Sequence, residues 1–282
     1  MTLYSNNGKF SGGRKKGKLL RILLITVLAV VILVLGIVGV FLLSNHNADK
    51  DFQKMAARVQ KQTAQTTIPT VWTETTVETT EKTTTPTEET QPVILSQYAE
   101  LYAQNSDLFG WIKIEGTAVD YPVMHTPDDP EKYLHTNFEG EYSYPGVPFL
   151  DAACTADSDN LLIYGHNMPN GSMFRSIMKY QEKTYWEKHP TITFNTLYKE
   201  QEYEVLAAFY DRVYYKTETC FKFYQFIDAA DEADFDNAIV QFQDKALYDT
   251  GVEASYGDKL ITLVTCAYHT DNGRFVVVAR RK

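Results

Sequence analysis

Apolar and polar positions divide the chain into unlike stretches. From Ile22 to Leu43 nearly every position is apolar, Thr26 and a few glycines excepted, and a helix of that length matches the roughly 20 residues needed to cross a bilayer. Residues 48 to 64 then place Phe52, Met55, Ala56 and Val59 at helical spacing among alternating charges, which predicts a short helix. The tract that follows, "TTIPTVWTETTVETTEKTTTPTEET", is half threonine and has no core-forming period. Such a segment stays extended, because it cannot bury enough apolar surface to offset its ordering entropy.

From Val93 the pattern becomes that of a folded domain. Leu95, Tyr98, Leu101 and Tyr102 recur at helical spacing, and "LFGWIKIEGTAVDYPVM" reads as two short strands joined by a turn at Glu115-Gly116-Thr117. Further strands are predicted at Val147 to Leu150, Leu161 to Tyr164, Thr191 to Asn195, Tyr203 to Tyr210, Lys259 to Thr265 and Arg274 to Ala279. Helices are predicted near Ser172 to Tyr180 and over Ala233 to Leu247, where Phe235, Ile239, Phe242 and Ala246 share a face. Strands predominate, so the fold class is mostly β with inserted helices, a β-barrel or closed sheet.

Charge orients the apolar run. Lys9, Arg14, Lys15, Lys16, Lys18 and Arg21 precede it, while Asp49, Lys50 and Asp51 follow, so the basic side is expected in the cytoplasm and the bulk of the chain outside. The run exceeds the core of a signal peptide and ends in Ser44-Asn45-His46-Asn47 rather than a small-x-small cleavage site, which points to a single-pass anchor in the cell membrane. The expected organisation is a basic tail (1–21), a transmembrane helix (22–43), an extracellular stalk with the threonine-rich linker (44–92) and a folded domain (93–282). With a net charge of -9 and the positive charge gathered before the span, nucleic acid is excluded as a partner. Three cysteines leave at least one outside any internal disulfide, and the pairing of Cys154 with Cys220 stays open. No metal-ligand spacing is visible among His125, His135, His189 and His269, which read as surface or loop residues, and no cofactor is implied.

Two segments carry chemistry. In "LLIYGHNM" a strand-like run ends at Gly165 and presents His166; in "TLVTCAYHTDNGRFVVVARR" Cys266 ends one strand and Arg274 opens another. If Asn272-Gly273 formed a two-residue hairpin turn, Cys266 would pair with Ala279; if Ala267 to Gly273 is loop, Cys266 faces Arg274. Cysteine attacks a carbonyl as thiolate, imidazole can hand a proton to a leaving amine, and a guanidinium can hold a developing oxyanion. His166, Cys266 and Arg274 thus divide the work of an acyl transfer, with His269 the rival imidazole.

"NLLIYGHNM", "TLVTC" and "GRFVVVARR" resemble the sortases, and Asn160, Asn167-Met168, "DLFGWIKIEGTAVDYPVM", "YLHTNFEGEYSYPGVPFLD" and "MFRSIMKY" resemble class B in particular. The resemblance covers about residues 93 to 282. It implies an eight-stranded β-barrel with an N-terminal helical segment and a long helix before the cysteine strand. It also implies a cysteine transpeptidase that cleaves a secreted protein's sorting signal, similar to Asn-Pro-x-Thr, after threonine, holds a thioester, and passes the acyl group to an amine of a lipid-linked peptidoglycan precursor. Cys266 is then the nucleophile, His166 the general acid/base and Arg274 the oxyanion or substrate-orienting group; Thr265, Asn167, Tyr164 and Tyr268 are candidates for substrate contact. Some class B members carry serine before the Thr-Cys pair and an acid shortly after it, where this chain has Val264, Ala267 and Tyr268. Polymerisation of pilins through a lysine amine, hydrolysis of the same acyl-enzyme by a surface protease or amidase, and a binding module without catalysis are the competing functions.

Overall fold

The computed structural model describes residues 13–66 and 93–282; most of the threonine-rich tract lies outside the described residues. Two compact units are present, Met1–Asn47 and Ala48–Lys282. Helix α1 runs over Gly13–Thr66 without the interruption expected after Leu43. No glycine or proline occurs between residues 41 and 66, so nothing in that stretch breaks the helical hydrogen-bond ladder. In the first unit, Arg21–Val40 has a mean hydropathy of 3.2 and is nowhere buried, a length and composition compatible with one membrane span.

In the second unit α1 turns its predicted apolar stripe, Phe52, Met55, Ala56 and Val59, inward. Phe52 meets Tyr121 edge to face at 5.2 Å. Helix α2 (Ser96–Gln104) follows residue 93 and buries Tyr98 and Leu101. Eight strands come next: β1 (Leu108–Lys113), β2 (Asp120–Met124), β3 (Phe149–Leu150), β4 (Asn160–Tyr164), β5 (Thr191–Thr196), β6 (Glu202–Arg212), β7 (Leu260–Cys266) and β8 (Gly273–Arg281). They close into a barrel in the order β1-β2-β3-β4-β7-β8-β6-β5. Strand β3 is shorter than the predicted Val147 to Leu150, because Pro148 has no N–H and offers the sheet only its carbonyl, to Met124.

Helices cover the barrel, which is why β7 and β8 read as continuous β-branched runs rather than alternating ones. After the one-turn helix α3 (Lys183–Trp186), α4 (Glu232–Lys245) packs Phe235, Ala238, Ile239 and Phe242 inward, with the Asp231 carboxylate capping its first turn through the Asp234 N–H. The helix predicted near Ser172 to Tyr180 is instead a 3₁₀ segment, Phe174–Gln181. Its buried rings and aliphatic chain, Phe174, Ile177 and Tyr180, recur every third residue, the period that three residues per turn puts on one face.

Two buried details join β4 to its surroundings. Asn160 is fully buried, donates Nδ2 to the Phe226 carbonyl (2.8 Å) and accepts the Thr262 hydroxyl of β7 (2.8 Å). Gly165 lies under the Phe174 ring, which a Cβ would approach to 2.6 Å. Asn160→Ala strands a buried carbonyl and a buried hydroxyl together, and is expected to cost about 2–4 kcal/mol. Gly165→Ala is expected to cost about 1–3 kcal/mol through overpacking. Urea unfolding of the chain from Ala48 onward checks both; wild-type midpoints in either variant would contradict this account of the junction.

Candidate active site

Strand pairing brings the three candidate side chains together. β4 runs parallel to β7 with Tyr164 beside Val264, and the pairing continues past the strand through the Gly165 N–H to the Val264 carbonyl (3.1 Å). Since side chains alternate along a strand, Tyr164 and His166 share a face, as do Val264 and Cys266. β7 and β8 pair antiparallel with Cys266 directly opposite Arg274, so these two also share a face, with Cβ atoms about 5 Å apart. Ala267 to Asn272 is therefore loop, and the two-residue turn is not formed; Gly273 belongs to β8.

His166, Cys266 and Arg274 line one cleft of about 580 Å³, together with Tyr164, Gly165 and Thr265. Its walls are largely apolar, with Leu134, Val147, Phe149 and Phe223 among them. A second cleft of about 660 Å³ lies at the other end of the barrel, where Leu260 opens β7 and Arg281 closes β8; it contains none of the three candidate residues.

Each group has defined partners. His166 Nε2 is 2.9 Å from the Leu134 carbonyl. A carbonyl only accepts, so Nε2 carries the proton of the neutral ring and Nδ1 keeps its lone pair. Burial holds the His166 pKa below its ordinary value; the Leu134 carbonyl opposes this, and the neighbouring His135 adds to it. Arg274 spends one nitrogen on backbone, Nη1 lying 3.0 Å from its neighbour's carbonyl at Gly273 and 3.3 Å from that of Asn272. Its other donors remain for a ligand. Cys266 is half-buried and free, and so are buried Cys154 and exposed Cys220, which form no disulfide. Burial pushes the Cys154 thiol up to about 12, so it stays protonated while it bonds within the core.

The candidates for substrate contact separate into two pairs. Tyr164 and Thr265 lie in the cleft, but the Tyr164 hydroxyl donates to Asp151 (2.9 Å) and the Thr265 hydroxyl to the Gly165 carbonyl (2.7 Å). Asn167 and Tyr268 lie outside its lining. Asn167 is buried, donates Nδ2 to the Cys266 carbonyl (2.7 Å) and accepts from Arg175 (3.0 Å); Tyr268 is 86% exposed. His269 also lies outside, with its ring against Tyr210 at 4.8 Å. Sequence reading missed Asp151, Arg175 and the Leu134 carbonyl. All three fall inside the class-B-like segments quoted above, but nothing in those segments says which of their residues reach the site, and a backbone carbonyl leaves no trace in residue identity.

Known proteins resemble this chain over the barrel. The sortase domain family model matches residues 112–282. The chain is 32% identical to sortase B of Listeria monocytogenes over 188 residues, covering 65% of this chain and 73% of that protein. It is 29% identical to sortase B of Staphylococcus aureus over 194 residues, covering 67% and 76%. Among solved structures, a substrate complex of the Staphylococcus aureus sortase B superposes with a TM-score of 0.69 at 22% identity, covering 85% of this chain and 98% of that one. Sortase B of Bacillus anthracis superposes with a TM-score of 0.59 at 27% identity, covering 67% and 85%. The chain therefore belongs to the sortase family, as a cysteine transpeptidase of class B.

Proposed function

We propose that this protein is anchored by Arg21–Val40, with the basic N-terminus in the cytoplasm, and joins secreted proteins to a cell-wall peptidoglycan amine after cleaving an Asn-Pro-x-Thr-like sorting signal. The observation that carries the reading is the meeting of His166, Cys266 and Arg274 in one apolar-walled cleft at the end of β4, β7 and β8.

In the proposed first half-reaction, the Cys266 thiol passes its proton to Nδ1 of His166 and Sγ attacks the threonine carbonyl carbon. Arg274 faces the resulting oxyanion, a charge worth far more stabilisation in a water-poor cleft than in bulk. The C–N bond breaks, the leaving amine takes the proton from His166, and a thioester remains. In the second half-reaction an incoming amine attacks the thioester carbonyl and gives a proton to His166. The C–S bond breaks, and Cys266 leaves as thiolate and regains its proton. The lowered His166 pKa fits this sequence, because a ring neutral at neutral pH can accept the thiol proton at the moment of attack.

Cys266→Ala is expected to abolish both cleavage of a fluorogenic Asn-Pro-x-Thr peptide and the thioester mass adduct. Arg274→Ala should lower kcat/KM by about 10²–10³-fold. Arg274→Lys should recover only part of that, since an ammonium keeps the charge without the planar fork. A fully active Arg274→Ala would remove the oxyanion role, and products unchanged by an added oligoglycine amine would reduce the enzyme to a hydrolase.

The pair works with one shared proton, so activity is lost in acid when both groups are protonated. Because burial lowers the His166 pKa, the acid limb of kcat/KM is expected below about pH 6.5. The same sign governs stability: below about pH 6.5 the unfolded chain binds a proton at this ring that the native state resists, so His166 makes unfolding easier as pH falls through that range. A kcat/KM profile and urea midpoints measured from pH 5 to 8 check the two together, and an acid inflection above 7 would contradict the assignment.

A further inference from the structure

The loop facing His166 presents a second imidazole. His135 is the exposed loop residue the sequence implies, and its ring lies nearly parallel to those of Tyr144 and His166. His135 and His166 have ring centroids 5.3 Å apart at 21°, Tyr144 and His166 6.2 Å at 10°, and His135 and Tyr144 5.8 Å at 23°. These separations fall in the range where offset-stacked rings attract. His135 directly follows Leu134, whose carbonyl holds Nε2 of His166, so one short segment supplies both a face and an in-plane anchor for the reactive ring.

That segment is itself held firmly at its base. The buried Tyr133 hydroxyl donates to Asp107 (2.8 Å) and accepts from Asn105 (2.8 Å), and the Val147 N–H donates to the Tyr133 carbonyl (3.0 Å). Gly146 packs so closely beneath it that a Cβ would lie 2.3 Å from the Tyr133 carbonyl oxygen, at a positive φ of 57°. Higher in the loop, His135 Nδ1 donates to the Tyr144 carbonyl (3.0 Å), and the Ser143 N–H donates to the His135 carbonyl (3.0 Å). The exposed His135 ring is thereby tied across the loop.

We propose that His135 is a positioning residue: with Tyr144 it clamps the plane of His166 so that Nε2–H stays on the Leu134 carbonyl and Nδ1 is the nitrogen presented for proton exchange. The clamp acts through His166 and needs no contact with substrate. It rests on the proposed acid/base role of His166 for its catalytic consequence, and on geometry alone for its effect on the ring. A ring free to rotate about χ2 spends part of its time with the protonated nitrogen turned toward the thiol, and the rate falls with the fraction correctly oriented.

Two substitutions separate stacking from hydrogen bonding. His135→Asn keeps a donor for the Tyr144 carbonyl but removes the ring, whereas His135→Phe keeps a ring and removes the donor. In the full-length chain in detergent, labelled with ¹⁵N-histidine, the His166 ring nitrogens report the tautomer directly. His135→Asn is expected to move them toward a mixed-tautomer pattern and to lower kcat for peptide cleavage about tenfold, with KM changed by less than about twofold. His135→Phe is expected to restore the Nε2–H pattern and at least half of kcat. The proposal is overturned if His135→Asn keeps the wild-type ring signals and kcat, or if His135→Phe fails as His135→Asn does. If wild-type protein cleaves none of the peptides, the functional reading has failed, while the ring signals still decide the clamp.

Discussion

The parallel contact between β4 and β7 is the constraint on which the rest depends. Residues a hundred positions apart pair in register from Asn160 beside Leu260 to Tyr164 beside Val264. A one-residue slip would turn His166 or Cys266 to the opposite face. Register is set at the far end of the strands by a polar lock: the buried Asn160 amide bonds the Thr262 hydroxyl of β7 and the Phe226 carbonyl. In a largely apolar core such a pair has few alternative partners, so misaligned pairings leave polar atoms unsatisfied. The reactive end inherits its alignment from that lock, extended by the Thr265 hydroxyl on the Gly165 carbonyl and by Asn167 on the Cys266 carbonyl.

Closure of the barrel does the complementary work. Covered by the 3₁₀ segment, β7 and β8 are buried along most of their length, and at this rim Cys266 and Arg274 become half-exposed. The candidate groups at strand ends thus sit on a rigid frame beside apolar walls, where charge–charge interactions are stronger than in water. Among the described residues no carboxylate hydrogen-bonds His166; its ring is met by the Leu134 carbonyl and by neighbouring rings. The nearby Asp151 carboxylate is engaged by the Tyr164 hydroxyl instead.

Most of the secondary structure was legible because its signals are local. The turn at Glu115-Gly116-Thr117, the β-branched runs of β7 and β8, and the apolar face of α4 each follow from spacing that holds within about ten residues. The 3₁₀ segment was misread as an ordinary helix, although its three-residue spacing of Phe174, Ile177 and Tyr180 carried the information. The β3 boundary moved because a single proline removes a donor. His135 is the exposed loop residue the sequence implies, but its stacking on a residue thirty-one positions away has no sequence period at all.

By itself, then, the sequence determined the apolar helix, the β-rich domain and the reactive residue types at strand ends, since periodicity, turn residues and side-chain chemistry are properties of neighbouring positions. Only the tertiary structure decided that Cys266 faces Arg274, that His166 and not His269 enters the cleft, and which His166 nitrogen holds the proton. These are outcomes of strand register, loop length and a single backbone carbonyl. Each depends on contacts between segments far apart in the chain, and such contacts exist only after the barrel has closed.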